Sequence, residues 1–163
     1  MPKRHIEIWL PIVVVALDQL TKALVRAKVP EFASVTVVPG LLNITHVTNA
    51  GVAYGFLQFT EFPFKSVLIA SIGVLALVAV GAYAASLALH QLMARIGLAL
   101  IIGGAAGNLL DRVTVGSVVD FVDVYWGTWH FWAFNVADSA ISVGVGTMIL
   151  DMLRTGAHVS KTV

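Results

Sequence analysis

The chain contains no cysteine. Disulfides, thiolate nucleophiles and cysteine-ligated metals are excluded together. Charge is scarce as well. Asp, Glu, Lys and Arg make up 12% of the 163 residues and hydrophobic residues 58%, whereas soluble domains run at about 25% charged and about 45–50% apolar. With a mean hydropathy of +0.90, this is the composition of a membrane protein. A net charge of +1 argues neither for nor against nucleic acid, no basic cluster is present, and no nucleic-acid partner is expected. The five histidines, at positions 5, 46, 90, 130 and 158, show no zinc-binding spacing. No metal is expected. Internal repeats and low-complexity tracts are absent from the sequence.

What the chain has in quantity is long apolar runs. Four of them, over about 8–27, 64–89, 92–110 and 134–153, are long enough to span about 30 Å of hydrocarbon. The expected fold is an all-α polytopic membrane protein: one membrane domain over 1–163, with four transmembrane helices and a small β-rich extracytoplasmic segment. The first run follows Lys3 and Arg4 as a signal peptide would, but no small-x-small cleavage site follows it. Asp18, Gln19 and Lys22 come instead, which reads as a retained helix. Four spans bring both termini to one side, with Lys3, Arg4, Arg95, Arg154 and Lys161; Lys22, Arg26, Lys28, Lys65 and Arg112 lie toward the other. These counts balance, so charge alone does not orient the chain. Lys3 and Arg4 ahead of the first helix favour cytoplasmic termini.

The opposite face carries two sizeable segments, about 28–63 and 111–133. "SVTVVPGLLNITHVTNAGVAYGF" reads as short strands broken at Pro39-Gly40 and Ala50-Gly51, and "VTVGSVVDFVDVYW" also reads as strand. Tyr125, Trp126, Trp129 and Trp132 suit an interfacial aromatic belt, and "FLQFTEFPF" an interfacial amphipathic stretch.

The polar residues beside the spans fall in one layer on that same face. Asp18 and Lys22 are four apart on one helical face; Asn108, Asp111 and Arg112 follow "GGAAG"; Asn135 and Asp138 open the fourth run; Asn49 and Asp120 lie in the outer segments. Each has a structural reading: an intrahelical ion pair, a helix end, small residues for close packing, a carboxylate at a helix N-terminus. Carboxylates at the edge of hydrocarbon are nonetheless costly unless paired, solvated or used. No Ser–His or Ser–Lys pair is evident, and only His46 and His130 come near the polar layer. The chemistry left is a carboxylate pair drawn from Asp120, Asp123 and Asp138. One ionised member takes a proton from an attacking water while a protonated partner polarises the carbonyl and serves the leaving nitrogen. Two such charges about 5 Å apart repel by roughly 3 kcal/mol at an effective dielectric of about 20, which keeps one of them protonated. A proton-coupled transporter would also place carboxylates in a membrane, but the chain shows no repeated halves and no path of polar groups.

Five blocks, "DQLTK" (18–22), "NAGVAYG" (49–55), "GGAAGNLLDR" (103–112), "VVDFVD" (118–123) and "FNVADS" (134–139), occur in order along nearly the whole chain. In them the chain resembles the bacterial lipoprotein signal peptidases, the type II signal peptidases. The resemblance implies an aspartyl endopeptidase of the bacterial inner membrane, without cofactor, whose site faces the extracytoplasmic side; a monomer among membrane lipids is expected. Its substrates would be prolipoproteins, cut on the N-terminal side of a diacylglyceryl-modified lipobox cysteine. It assigns Asp120 and Asp138 as the catalytic dyad, with Asp123 the competitor for the first place. Asn49, Gly51, Asn108, Arg112 and Asn135 would hold the substrate main chain and the dyad; Asp18 and Lys22 would brace them from the first helix. Tyr54 departs from the phenylalanine commoner in the family. Residues 45–63 are expected to close over the site.

Overall fold

The computed structural model describes residues 5–51 and 64–159, the side chains of 155–159 excepted. Tyr54, "FLQFTEFPF" up to Pro63, and most of the segment expected to close over the site lie outside the described residues, as do Lys3, Arg4 and Lys161.

Among the described residues four helices form the body: α1 (Ile6–Lys28), α2 (Lys65–Ser86), α3 (Leu92–Thr114) and α4 (Val136–Val159). All four are long and apolar enough to cross a membrane. Their outward residues are large and apolar: Leu75 on α2 is 70% exposed and Leu153 on α4 65%. A helix apolar on every side has no face to offer water.

α3 is the central helix, packed against α4, α1 and α2. Its small residues make this possible. A Cβ on Gly103 would stand 2.8 Å from Val14 Cβ, and one on Gly104 would collide with the carbonyl oxygen of Ala137. Close approach of three helices therefore needs glycine at these positions. The helix read over 92–110 continues to Thr114, so Asp111 and Arg112 lie inside it and do not mark its end. It stops at Gly116, whose positive φ of 87° lets its N–H and that of Val115 turn back to the carbonyl of Asp111.

The outer segments build one antiparallel sheet in the order β1-β2-β3-β4, with β1 Ser34–Val38, β2 Leu42–Asn49, β3 Val118–Trp126 and β4 Trp129–His130. The β1–β2 turn falls at Pro39-Gly40 and β2 ends just before Ala50-Gly51, where the sequence carries its breakers. Val119 and Phe121 of β3 pack on Val25 and Val29 at the end of α1, which seats the sheet on the helices. Val47 pairs with Asp120 and Asn43 with Asp123, so the register sets both aspartates relative to β2.

Candidate active site

Asp120 comes from β3 and Asp138 from the first turn of α4, which begins at Val136, two residues later than the apolar pattern indicated. The delay has a local cause. Asn135 caps the helix: its Oδ1 accepts from the N–H of Asp138 at 2.9 Å, while Asp138 Oδ2 accepts from the N–H of Asn135 at 3.2 Å. This is a capping box with aspartate in the usual glutamate place. The same asparagine reaches the other carboxylate, since its Nδ2 donates to Asp120 Oδ1 at 2.7 Å. One buried amide thus ties the two aspartates together.

The remaining oxygens are held as closely. Asn49 Nδ2 donates to Asp120 Oδ2 at 3.1 Å, and Asn108 Nδ2 donates to Asp138 Oδ1 at 2.8 Å. The orientation of Asn108 is dictated from behind. Lys22 Nζ stands 2.9 Å from Asn108 Oδ1, and an ammonium can only donate, so the NH2 end must face Asp138. Lys22 is itself fully buried, 2.7 Å from Asp18 Oδ2 and 2.9 Å from Asp111 Oδ2. Asp18 Oδ1 also accepts from the N–H of Ala137 at 3.0 Å, so α1 contacts the start of α4 directly.

Arg112 Nη2 donates to the carbonyl of Gly51 at 3.0 Å, and Asn49 Oδ1 accepts from the Gly51 N–H at 2.9 Å. Gly51 is therefore fixed beside the carboxylates through its backbone. Every residue singled out from the sequence, Asp18, Lys22, Asn49, Gly51, Asn108, Arg112, Asp120, Asn135 and Asp138, belongs to this one network. Asp123 does not. It lies three residues from Asp120 on a strand, an odd number that turns it to the opposite face, where it bonds Asn43 and His130. His46 is also removed, its ring bonded to the carbonyl of Val29, and Ser139 turns its hydroxyl to the carbonyl of Asn135.

Two further members, Gln19 and Arg26, were not among the candidates, and Asp111, named with the polar layer, was given no place in the site. Gln19 Nε2 lies 3.2 Å from Asp18 Oδ2, from Asp111 Oδ1 and from the carbonyl of Gly107, and Arg26 Nη2 lies 3.1 Å from Asp111 Oδ1. A signal existed, because Gln19, Lys22 and Arg26 follow the 3-and-4 spacing of one helical stripe. Asp111 is 1% exposed, which local sequence does not disclose.

Asp120 is 4% exposed. Burial first, and then the neighbouring charge of Asp138, push its carboxyl up to about 6, against the amide donors of Asn49 and Asn135 and the charge of Lys22. Both aspartates open on a cavity of about 970 Å³ that runs between α2 and α4 over α3. Ile69, Ile72 and Ile141 line its helical walls, and Phe131, Trp132 and Phe134 its end under the sheet.

Coupled carboxylates at the head of a large apolar cavity define a site for acid–base chemistry on a substrate with an apolar part. Comparison with other proteins gives the family. Residues 10–154 match the family described as Signal peptidase (SPase) II. The chain is 44% identical over 145 residues to a lipoprotein signal peptidase of Geobacter metallireducens, covering 89% of this chain and 88% of the relative. It is 38% identical over 149 residues to the lipoprotein signal peptidase of Pseudomonas aeruginosa strain UCBPP-PA14, covering 91% and 88%. A solved bacterial membrane enzyme at 2.3 Å resolution superposes with a TM-score of 0.83 at 32% identity, covering 93% of this chain and 90% of that one. The chain belongs to the signal peptidase II family, and the family's activity is that of a protease.

Proposed function

We propose that this protein removes signal peptides from prolipoproteins as an aspartyl endopeptidase, with Asp120 and Asp138 as its dyad and no cofactor. It cuts on the N-terminal side of the diacylglyceryl-modified lipobox cysteine. The observation that carries the reading is the sharing of Asn135 by both carboxylates at the head of an apolar cavity.

The cycle needs one proton on the pair. The four carboxylates Asp18, Asp111, Asp120 and Asp138 are matched by three cations, Lys22, Arg26 and Arg112. A single proton on the dyad leaves this set neutral, and with Asp18, Lys22, Asp111 and Asp120 buried that is its least costly state. Asp120, pushed to about 6, carries that proton. Asp138, at the N-terminus of α4 with two N–H donors, is the ionised base. Water attacks the scissile carbonyl carbon and gives a proton to Asp138, while Asp120 donates to the carbonyl oxygen. As the tetrahedral intermediate collapses, one of its hydroxyl groups returns a proton to Asp120, the C–N bond breaks, and the nitrogen leaves with the proton taken up by Asp138, which restores the dyad.

The chain acts as a single membrane domain over 1–163 in the bacterial inner membrane, as a monomer among its lipids. Both termini are cytoplasmic and the sheet and site are extracytoplasmic. A lipid-modified substrate keeps its acyl chains in the leaflet, so its scissile bond lies near the interface, where polar groups can be satisfied. The gap between α2 and α4 lets the apolar part of the substrate approach from the side.

Cleavage of a diacylglyceryl-modified prolipoprotein in detergent tests the reading. Asp120→Asn and Asp138→Asn are each expected to lose at least about a thousandfold in turnover while still folded. Asp123→Asn, which lies off the cavity, is expected to keep most of its turnover at saturating substrate. Folded dyad variants that still cut would remove the aspartyl assignment.

A further inference from the structure

Asp123, which is buried, and His130, whose ring is half exposed, form a second polar cluster that bond cleavage does not use. Asp123 is 9% exposed, and its carboxylate is approached from two sides. Asn43 Nδ2 donates to Oδ2 at 2.9 Å, and His130 Nδ1 lies 2.9 Å from Oδ1 and 3.0 Å from Oδ2. A carboxylate accepts only, so Nδ1 carries the proton in this pair. The His130 ring stacks on Tyr125 at 5.2 Å with 12° between the planes. The Tyr125 hydroxyl oxygen in turn accepts from the Gly40 N–H at 2.8 Å, which ties the β1–β2 turn to the same cluster.

The location of His130 matters more than its partners. β4 pairs with β3 through only two residues, Trp129 and His130. The chain then stays on β3 at Phe131, whose N–H donates to Val124, and returns at Phe134, which exchanges hydrogen bonds with Val122. Between those anchors lie Trp132 and Ala133, and residues 131–134 all line the cavity. Asn135, which bridges the dyad, follows immediately. His130 therefore stands at the root of the wall that faces the apolar part of the substrate, and Asp123 fixes His130.

We propose that Asp123 and His130 are a positioning pair that sets the aromatic wall at Phe131, Trp132 and Phe134, and so governs affinity for the apolar part of the substrate without touching the reacting atoms. This rests on the prolipoprotein reading given above, because that reading supplies the apolar ligand for the wall. A hydrogen bond to a buried charge is strong enough that its loss should move affinity by about tenfold. The loss should fall on KM and not on kcat, because the dyad is held separately by Asn49, Asn108 and Asn135.

The test is steady-state cleavage of the same prolipoprotein in detergent by the full chain. His130→Ala is expected to raise KM about tenfold with kcat changed less than about threefold. His130→Gln, which keeps an N–H donor, is expected to recover most of that loss. Trp132→Ala, at a side chain 62% exposed, is expected to raise KM alone as well. Combined with His130→Ala it should add little, since both act through one wall. Should His130→Ala not fold, His130→Gln and Asp123→Asn against Trp132→Ala decide the same question. An unchanged KM, a fall confined to kcat, no recovery with glutamine, or fully multiplicative effects of the 130 and 132 variants would each overturn the pair's role. Those results alongside inactive Asp120→Asn and Asp138→Asn leave the peptidase reading intact; active dyad variants sink that reading itself.

Discussion

Asp120 is a carboxyl group held where it takes up a proton too readily. Its value of about 6 stands above the ordinary 3.8, from burial and then from the charge of Asp138. If Asp120 serves as the protonated partner, as proposed, its proton is lost when pH rises through about 6, so kcat/KM is expected to fall on the alkaline side with an apparent pKa near that value, a property of the coupled pair. The same shift affects stability. A raised folded-state pKa contributes stability that is fully present below 3.8 and lost as pH rises through about 6. Above that pH the wild type carries a penalty on the order of 3 kcal/mol that Asp120→Asn does not. The asparagine gives part of this back by presenting an amide to Asn49 or Asn135. The variant is therefore expected to melt above the wild type at pH 8, with the gain vanishing near pH 4. A difference independent of pH in thermal melts would mean that the charge of Asp120 is not strained.

At the scale of elements, α3 positions the site by allowing two helices to lie unusually close to it. A Cβ on Gly104 would collide with the backbone of Ala137, the residue before Asp138, and one on Gly107 would stand 2.7 Å from Asp18 Oδ2. Backbone cannot move aside as a flexible side chain does. Gly104→Ala is expected to cost roughly 1–3 kcal/mol and to lower turnover by displacing Asp138. Gly81→Ala, with nothing within 4 Å of its added Cβ, should instead gain about 0.5–1 kcal/mol. Melting temperatures of both variants in one detergent check the contrast, and equal effects would mean that the α3–α4 approach is not tight at Gly104. The packing role of "GGAAG" was legible in the sequence because small residues recur three and four apart. That Gly107 clears room for a buried carboxylate was not, since Asp18 is far away in the chain.

At the scale of the whole molecule, the sheet and the loop between α2 and α3 lie at opposite ends of the helices. An extracytoplasmic site puts β1 outside and that loop inside. The absence of cysteine makes this directly measurable. Ser34→Cys on β1 is expected to react with a membrane-impermeant maleimide in cells whose outer barrier alone is opened. Gln91→Cys at the start of α3 should react only after the inner membrane is opened. The reverse pattern would invert the proposed topology.

Composition and periodicity by themselves determined the number of long apolar helices, the strand breaks at Pro39-Gly40 and Ala50-Gly51, and the gathering of polar residues toward one end. These are local properties, set by helix length against bilayer thickness and by neighbours three or four residues apart. The face taken by Asp123 also follows from strand alternation once β3 is given. Only the tertiary structure decided that Asn135 bridges both aspartates, that Lys22 dictates the orientation of Asn108, and that Asp111 is buried among Gln19, Lys22 and Arg26. Those contacts join α1, α3, β3 and α4 across long stretches of sequence. They depend on how closely whole helices approach, which the burial of all their side chains sets together.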